Sequence, residues 1–400
     1  MSLNAERSYK MKLRDVENAF KYRRIPYPKR SVELIALLAI SCTFFLFMHT
    51  NKLNSRLKEM EVKLQPSEFS ALGLTGNHIS GHDAGKHDDI NTLHGTYQYL
   101  KSTGQLENLD AAQLNNTPKA ERDFVFYNRL EKTGSQSMTR LIKQLGERNG
   151  FDAYRNIVRP SRPLTDSYED EKDLVDQLYE LGDHAVYVEH ANWVNFTKHG
   201  HLRPIYINMV RHPIQKVISA YYYQRHPLIF AQSLMRNPNK RIETKQYFDT
   251  AFNDCVRKRV PPYCDFDNHN PYNGDWRRFS LHLCGNSEIC THFNSATTTQ
   301  IAKSNIEREY AVVGSWEDTN VTLAVLEAYI PRFFANARKV YYSKTDKFTV
   351  NTVSHDTHLD KDVEEYLSNS FSFEIELYLF IKQRLHKQYI AVHKDEFQSP

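Results

Sequence analysis

Short apolar runs alternate with segments of helical periodicity in the second part of the chain. Four runs predict buried strands, because apolar and aromatic residues follow one another without alternation at 124–128, 184–190, 204–210 and 310–316. Apolar positions at three- and four-residue spacing predict helices near 138–145, 214–223 and 321–330. Strands that alternate with helices are typical of a parallel sheet. We therefore expect an α/β domain with a central, mainly parallel sheet flanked by helices.

A separate apolar segment, residues 31–50, predicts a membrane-spanning helix. Its core contains one charged residue, Glu33, and is long enough to cross most of a bilayer. A cleaved signal peptide is the alternative, but thirty residues precede the segment and no small-residue cleavage pattern follows it. Residues 1–30 carry nine basic and three acidic residues, which favours a cytoplasmic tail. The remainder would then be lumenal, as in a single-pass type II membrane protein.

The polar region that follows predicts a linker. Residues 51–120 are rich in Asn, His, Gly and Asp without a sustained apolar period, which is typical of a stem. Apolar residues within 53–64 allow a short coiled coil that would join protomers as a dimer or trimer. We assign residues 121–390 to one catalytic domain and residues 391–400 to a C-terminal tail.

Composition and net charge limit the kinds of partner that the chain can bind. A chain with 40% hydrophobic and 25% charged residues is an ordinary globular protein. The net charge is +4, and because the first thirty residues contribute +6, about −2 remains for the rest. This balance argues against nucleic acid as a partner. A polyanion would need a local basic patch, for which residues 257–259 and 277–278 are candidates.

The cysteines and glycosylation motifs agree with a lumenal domain. One cysteine, Cys42, lies in the predicted anchor, and the other four lie in one stretch: Cys255, Cys264, Cys284 and Cys290. Three pairings are possible. The sequential pairs are favoured because they close short loops, and zinc is a weaker alternative because the tight Cys-x-x-Cys spacing is absent. We expect no metal. Glycosylation sequons begin at Asn115, Asn195 and Asn320.

A loop with the chemistry of an anion site follows the first strand. Residues 129–137 connect that strand to a helix, and their Ser and Thr side chains can cap its first turn. Amide groups at a helix N-terminus attract anions, Gly134 admits a phosphate to the backbone, and Lys132 adds a full charge. A P-loop kinase is one alternative, but Lys132 precedes the glycine, so the Walker order is absent.

Two further strands end in ionisable residues. Arg211 follows the third strand, and Ser219 lies eight residues later on a helix, so that both can hold a terminal phosphate. His190 ends the strand before it. Ligands of parallel α/β sheets bind at the carboxyl ends of the strands, so Lys132, His190 and Arg211 should meet in one crevice. His190 is the candidate general base there.

These motifs resemble those of a known enzyme family. The order from Lys132 to Ser135 resembles the 5′-phosphosulfate loop of sulfotransferases, and Arg211 with Ser219 resembles their 3′-phosphate site. Longer segments are similar to uronosyl 2-O-sulfotransferases, and most to Pipe-type members. These segments are residues 127–135, 189–190 with 195–196, 206–211 and 221–223, within a likeness that spans 124–385.

The resemblance implies a P-loop-like sulfotransferase domain that transfers sulfate from 3′-phosphoadenosine 5′-phosphosulfate (PAPS) to the 2-hydroxyl of a uronic acid. It implies a glycosaminoglycan or glycoprotein acceptor and residence in the Golgi membrane. His190 and Lys132 would be catalytic, Arg129 would meet the uronate carboxylate, and the sequential cysteine pairs match the family. The donor would be held by Lys132, Thr133, Gly134, Ser135, Gln136, Arg211 and Ser219.

Three positions depart from the family pattern. Val188 stands where heparan-acting members have a second histidine, Ala220 stands where they have tyrosine, and His212 replaces the acid after the phosphate-binding arginine. These changes bear on which substrate the protein accepts. A glycan-binding protein that keeps the fold without turnover is a second alternative.

Overall fold

The computed structural model describes residues 91–155, 168–260, 264–266, 278–343 and 358–398, together with residue 48. From residue 91 on, the described residues fall within one compact unit of the chain. No helix in these ranges combines the length and apolarity that crossing a bilayer requires. The predicted cytoplasmic tail, the coiled coil and all but residue 48 of the predicted anchor lie outside the described residues.

Five parallel strands form one sheet in the order β2-β3-β1-β4-β5. The predicted parallel sheet is thus confirmed, with one additional strand. The strands are β1 Phe124–Asn128, β2 Asp152–Arg155, β3 Ala185–Glu189, β4 Ile205–Val210 and β5 Tyr310–Ser315. The sequence analysis missed β2 because this short edge strand is mostly exposed and lacks an apolar run.

Helices connect and cover these strands. Short 3-10 helices lie at Thr117–Lys119, Phe196–His199 and Glu288–Thr291. The α-helices of the described residues are, in chain order, α1 Leu93–Ser102, α2 Ala111–Leu114, α3 Ser135–Asn149, α4 Tyr168–Tyr179, α5 Pro213–Arg225, α6 Pro227–Arg236, α7 Lys245–Asp249, α8 Phe252–Arg257, α9 Ser280–Cys284, α10 Ala296–Arg308, α11 Thr319–Tyr329, α12 Pro331–Phe334, α13 Ala337–Tyr341, α14 Lys361–Ser370, α15 Ser372–Val392 and α16 Lys394–Gln398.

Apolar side chains cover both faces of the sheet. Phe126 and Tyr187 point to one face, where they pack with residues of α4, α10 and α15. Val125 and Val188 point to the other face, where they pack with residues of α3 and α11. Successive side chains of a strand alternate between faces, so a sheet covered on both sides needs continuous apolar strands. This burial explains the four runs that the sequence shows.

The segment before β1 belongs to the folded domain. Residues 93–114, which the sequence analysis placed at the end of the stem, form α1 and α2. Leu100 and Leu106 pack with Ile390 of α15. The Tyr97 hydroxyl donates a hydrogen bond of 3.0 Å to the carbonyl of Phe397, and the two rings stack with centroids 5.0 Å apart. Helices α15 and α16 extend past residue 390, where the C-terminal tail was expected to begin.

Both predicted disulfides are confirmed. Cys255 joins Cys264, and Cys284 joins Cys290, each with Cα atoms 5.7 Å apart. The second bond connects α9 to the 3-10 helix that follows it. The main chain of α9 also contacts the loop after β3, since the amide of Trp193 donates to the carbonyl of His282 at 2.8 Å. This disulfide therefore supports the segment that carries His190.

The strand order determines where a ligand can bind. From β1 the chain builds β3 and β2 on one side of the sheet and β4 and β5 on the other. In open α/β sheets the crevice for ligands lies outside the carboxyl ends of the strands where the order reverses. Here that place lies between β1 and β4.

Candidate active site

The loop after β1 presents an uncapped helix N-terminus to this crevice. Gly134 is the N-cap of α3, with φ 79°, and no side chain caps the first turn. The predicted Ser or Thr cap is therefore wrong. Thr133 is buried instead, and its hydroxyl donates to the carbonyl of Leu130 at 3.1 Å. With glycine at the N-cap, no N-cap side chain accepts a hydrogen bond from the first amides of α3, which suits an anionic ligand.

Gly134 is required by its conformation and by a close neighbour. Its positive φ is unfavourable for residues with a Cβ atom. A Cβ there would lie 1.9 Å from Cε3 of Trp316. Trp316 follows β5, and its amide donates to the carbonyl of Val210 at 2.8 Å. The indole ring thus packs directly against the backbone of the loop.

Lys132 extends into the crevice from the same loop. Its φ is 61°, and its Nζ lies 3.6 Å from the ring centroid of Tyr223 on α5. Burial lowers the pKa of Lys132 to about 8, with a further contribution from the positive charge of Arg211. Desolvation disfavours the charged form of an amine, so this lysine is closer to neutrality than a surface lysine.

Arg211 approaches from the other side, at the carboxyl end of β4. Its Nε is buried and has no hydrogen-bond partner among the described residues. Burial lowers its pKa, and Glu317 partly opposes this shift. The Glu317 carboxylate itself accepts hydrogen bonds from the His212 amide at 2.9 Å and the Ser315 hydroxyl at 3.1 Å. A buried donor without a partner is costly unless a ligand binds to it.

His190 follows β3, and its hydrogen bonds define its tautomer. Nδ1 lies 3.1 Å from the carbonyl oxygen of Arg129. A carbonyl can only accept, so Nδ1 carries the proton and Nε2 keeps a free lone pair. Burial, with the positive charge of Arg129, lowers the pKa of His190 to about 3. The ring is therefore neutral near pH 7.

Glu189 and Arg129 surround this histidine. Glu189 is buried, and its carboxylate accepts from the Tyr187 hydroxyl at 3.0 Å and from the His190 amide at 2.8 Å. Arg129 donates from its amide to the carbonyl of Glu189 at 2.8 Å. Its Nε is buried without a hydrogen-bond partner among the described residues. Burial lowers the pKa of Arg129, and the nearby charge of Arg155 lowers it further.

One cavity of about 300 Å³ collects these groups. Of the predicted site residues, Thr133 does not line it. Those that do are Arg129, Lys132, Gly134, Ser135, Gln136, His190, Arg211 and Ser219. The sequence analysis assigned no role in the site to the remaining lining residues, which are Glu131, Ser137, Ala220, Tyr223, Gln224 and Trp316. Tyr223 was quoted as part of a family motif, and Trp316 as the end of a strand, but neither received a role.

Of the two basic runs considered for polyanion binding, Lys258 and Arg259 are exposed, and Arg277 lies outside the described residues. Arg257 donates to Asp362 at 2.8 Å and also pairs with Asp360. Arg278 is fully buried. Within the described residues, no group of three or more His, Cys, Asp or Glu side chains could hold a metal ion.

Comparison with known proteins connects this cavity to a chemistry. Residues 117–380 match the Sulfotransferase family, and this segment includes every residue of the cavity. The chain belongs to the sulfotransferase family. This membership confirms the resemblance described above and argues against a P-loop kinase.

Three relatives place the chain within that family. It is 45% identical to the uronyl 2-sulfotransferase homolog pip of Drosophila melanogaster, in an alignment that covers 98% of this chain and 95% of the relative. It is 25% identical to human uronyl 2-sulfotransferase over 66% of this chain and 62% of the relative. It is 27% identical to human heparan sulfate 2-O-sulfotransferase 1 over 74% of this chain and 79% of the relative.

The predicted glycosylation sites lie on described segments. Asn115 and Asn195 are half-buried, and Asn320 is exposed in the first turn of α11. The Asn195 side chain accepts a hydrogen bond of 3.3 Å from the Lys198 amide. Modification of these asparagines remains a prediction.

Proposed function

We propose that this sulfotransferase transfers a sulfuryl group from PAPS to the 2-hydroxyl of a uronic acid in a glycosaminoglycan or related glycan. The observation that carries the proposal is the shared cavity, in which a neutral His190 lies with the cations Lys132 and Arg211. Relatives named for uronyl and heparan sulfate 2-O-sulfotransfer support the choice of acceptor.

The residues present fit the donor. The unpartnered Nε of Arg211, with Ser219 in the same cavity, suits the 3′-phosphate. The uncapped start of α3, from Ser135, suits the 5′-phosphosulfate, and Gly134 leaves room for it at the backbone. Thr133 would contribute by holding the loop through its bond to Leu130 rather than by direct contact.

The chemistry would proceed by in-line displacement. When bound, PAPS supplies the sulfuryl group, and the adenosine bisphosphate leaves with the electrons of the broken sulfur–oxygen bond. Nε2 of His190 would accept the proton of the attacking hydroxyl. The Lys132 ammonium and the first amides of α3 would stabilise the negative charge that develops on the sulfuryl and phosphate oxygens. Arg129 would orient the uronate through its free Nε–H.

In this scheme the enzyme works in the Golgi lumen as a type II membrane protein. Residues 31–50 would anchor it, and the polar stem that follows would hold the catalytic domain away from the membrane. Glycosylation at the three sequons, and assembly through residues 53–64, belong to the same scheme.

The direct test supplies labelled PAPS and a panel of desulfated glycans, followed by disaccharide analysis. We expect label on the 2-hydroxyl of a uronic acid. Lys132→Ala and His190→Ala should each lower transfer at least ~100-fold, on the scale of a lost catalytic base or oxyanion donor. Circular dichroism should show that both variants remain folded.

Lys143, an exposed lysine of helix α3 that follows the Lys132 loop, provides the control, because Lys143→Ala also removes one positive charge. Near-normal transfer by Lys132→Ala or His190→Ala would contradict the assigned role. Glycan binding without incorporation of label by the wild-type protein would favour a binding protein over an enzyme.

A further inference from the structure

The side chain of Lys132 rests on an aromatic ring. Its Nζ lies 3.6 Å from the ring centroid of Tyr223. Among the described residues Nζ forms no hydrogen bond and no ion pair. A cation at this distance from a ring centroid is attracted by the negative face of the ring. Tyr223 is thus the contact that the structure gives to this ammonium.

The position of Tyr223 connects the two halves of the donor site. It lies one helical turn after Ser219 on α5, so both side chains are on the same side of the helix. Both residues line the cavity, together with Lys132 from the loop after β1. Helix α5 therefore carries both Ser219, the residue proposed for the 3′-phosphate, and the Tyr223 ring that contacts Lys132.

The surroundings of Lys132 disfavour its protonated form. Burial is the largest cause of its lowered pKa, and Arg211 adds to it, while Glu131 of the same loop acts in the opposite direction. The face of the Tyr223 ring is the further group packed against the ammonium, and it favours the charged form.

We infer that Tyr223 is a positioning residue, which holds the Lys132 ammonium charged and directed into the donor cavity until the phosphosulfate replaces the ring as its partner. The replacement is favourable because a hydrogen bond between an ammonium and a phosphate is stronger than a contact with a ring. The contact uses the ring face, and the Tyr223 hydroxyl forms no hydrogen bond among the described residues. Phenylalanine at this position should therefore preserve the contact with the Lys132 ammonium, whereas leucine should abolish it.

The first test measures Lys132 itself and does not depend on turnover. The rate at which an amine-reactive acylating reagent modifies Lys132 is followed by mass spectrometry from pH 6 to 10 in the full chain. In Tyr223→Leu the inflection should move down by about 0.5–1 pH unit, the size expected from a lost cation–π contact. Tyr223→Phe should keep the wild-type inflection. Tyr222→Leu, on the same helix but outside the cavity, is the matched control.

The second test measures transfer, and for this readout the inference rests on the proposed function. Tyr223→Leu should lower kcat/KM for PAPS about 3- to 30-fold, and Tyr223→Phe should stay within about twofold of wild type. An unchanged inflection in Tyr223→Leu, or a loss in Tyr223→Phe equal to that in Tyr223→Leu, would overturn the inference. Absence of transfer by the wild-type protein would overturn the proposed function alone, since the modification profile still decides the role of Tyr223.

Discussion

A histidine of ordinary pKa would be protonated for part of the time in a mildly acidic compartment, and His190 avoids this state. Its Nδ1–H is committed to the carbonyl of Arg129, and burial beside positive charge lowers its pKa to about 3. The lone pair of Nε2 is therefore present throughout the physiological range. The same positive charges that suit anionic substrates also keep the proposed base unprotonated.

The pH dependence of the enzyme should follow Lys132 rather than His190. The pH profile of kcat/KM reports the free enzyme. Because the pKa of Lys132 is lowered to about 8, its ammonium is lost as the pH rises through about 8, and kcat/KM for PAPS should fall there. No fall should occur near pH 6.5, because His190 stays neutral down to about pH 3.

Lys132→Arg tests this assignment, because arginine keeps its charge at all relevant pH values. Whatever its absolute rate, this variant should lose the decline near pH 8. A decline that persists in Lys132→Arg would assign the titration to another group.

Several residues of the site could be identified from the sequence because each lies directly after a strand or within a short loop. Lys132, His190 and Arg211 are in this class. Trp316 and Tyr223 are not, because their importance comes from contacts with the loop after β1 that form only in the folded chain. Arg155 was missed with β2 itself, although its charge affects both Arg129 and His190.

At the scale of elements, the start of α3 shows how a helix can be left open for a ligand. A serine or threonine at the N-cap would satisfy one of the free amides. Gly134 occupies that position instead, and Thr133 is turned away to Leu130. The sequence alone suggested a capped turn, because three hydroxyl residues surround the glycine. In the structure none of them caps the turn, because Gly134 is the N-cap and packs closely against Trp316, a contact that no local pattern reveals.

Replacing this glycine should damage the donor site for a steric reason. Gly134→Ala places a Cβ at 1.9 Å from the Trp316 ring and strains a backbone at φ 79°. Gly182→Ala is the matched control, because Gly182 has φ 81° and no atom within 4 Å of the added Cβ. Both variants should lose about 1 kcal/mol of unfolding free energy from the backbone.

The displaced ring in Gly134→Ala should cost about 1–3 kcal/mol more and should weaken binding of adenosine 3′,5′-bisphosphate, measured by calorimetry. Equal stability and equal nucleotide affinity in the two alanine variants would show that Trp316 moves away without consequence.

At the scale of the whole molecule, a parallel α/β sheet could be predicted, but the strand order could not. Continuous apolar runs identify buried strands, and intervening helices imply parallel connections. The order β2-β3-β1-β4-β5 depends on which faces pack together after collapse. It is this order that brings the loop after β1 next to the end of β4. The boundary of the domain was also placed too late, because the segment around α1 is short and mostly polar, and its two buried leucines pack on a distant helix.

The segment 91–120 should therefore be necessary for stability. The free energy of unfolding of a chain that starts at residue 121 should be at least about 3 kcal/mol lower than that of a chain that starts at residue 91. This estimate counts only the lost burial of Leu100 and Leu106. Each buried leucine contributes about 1.5–3 kcal/mol. Urea unfolding followed by circular dichroism measures the difference.

Within the longer chain, Leu100→Ala should cost about 2–5 kcal/mol, whereas Gln98→Ala on the exposed side of α1 should change stability by less than about 0.5 kcal/mol. Equal stability of the two truncated chains would show that residues 91–120 belong to the stem and do not stabilise the folded domain.

The stacking of Tyr97 on Phe397 has a consequence for topology. The first and last of the described helices meet there, which brings two distant parts of the backbone close together. A short peptide would bridge this gap, and the chain would then tolerate new termini at an exposed turn such as residues 237–240. Once the segments near Tyr97 and Phe397 are joined, the position of the chain termini should matter little for the fold of the domain.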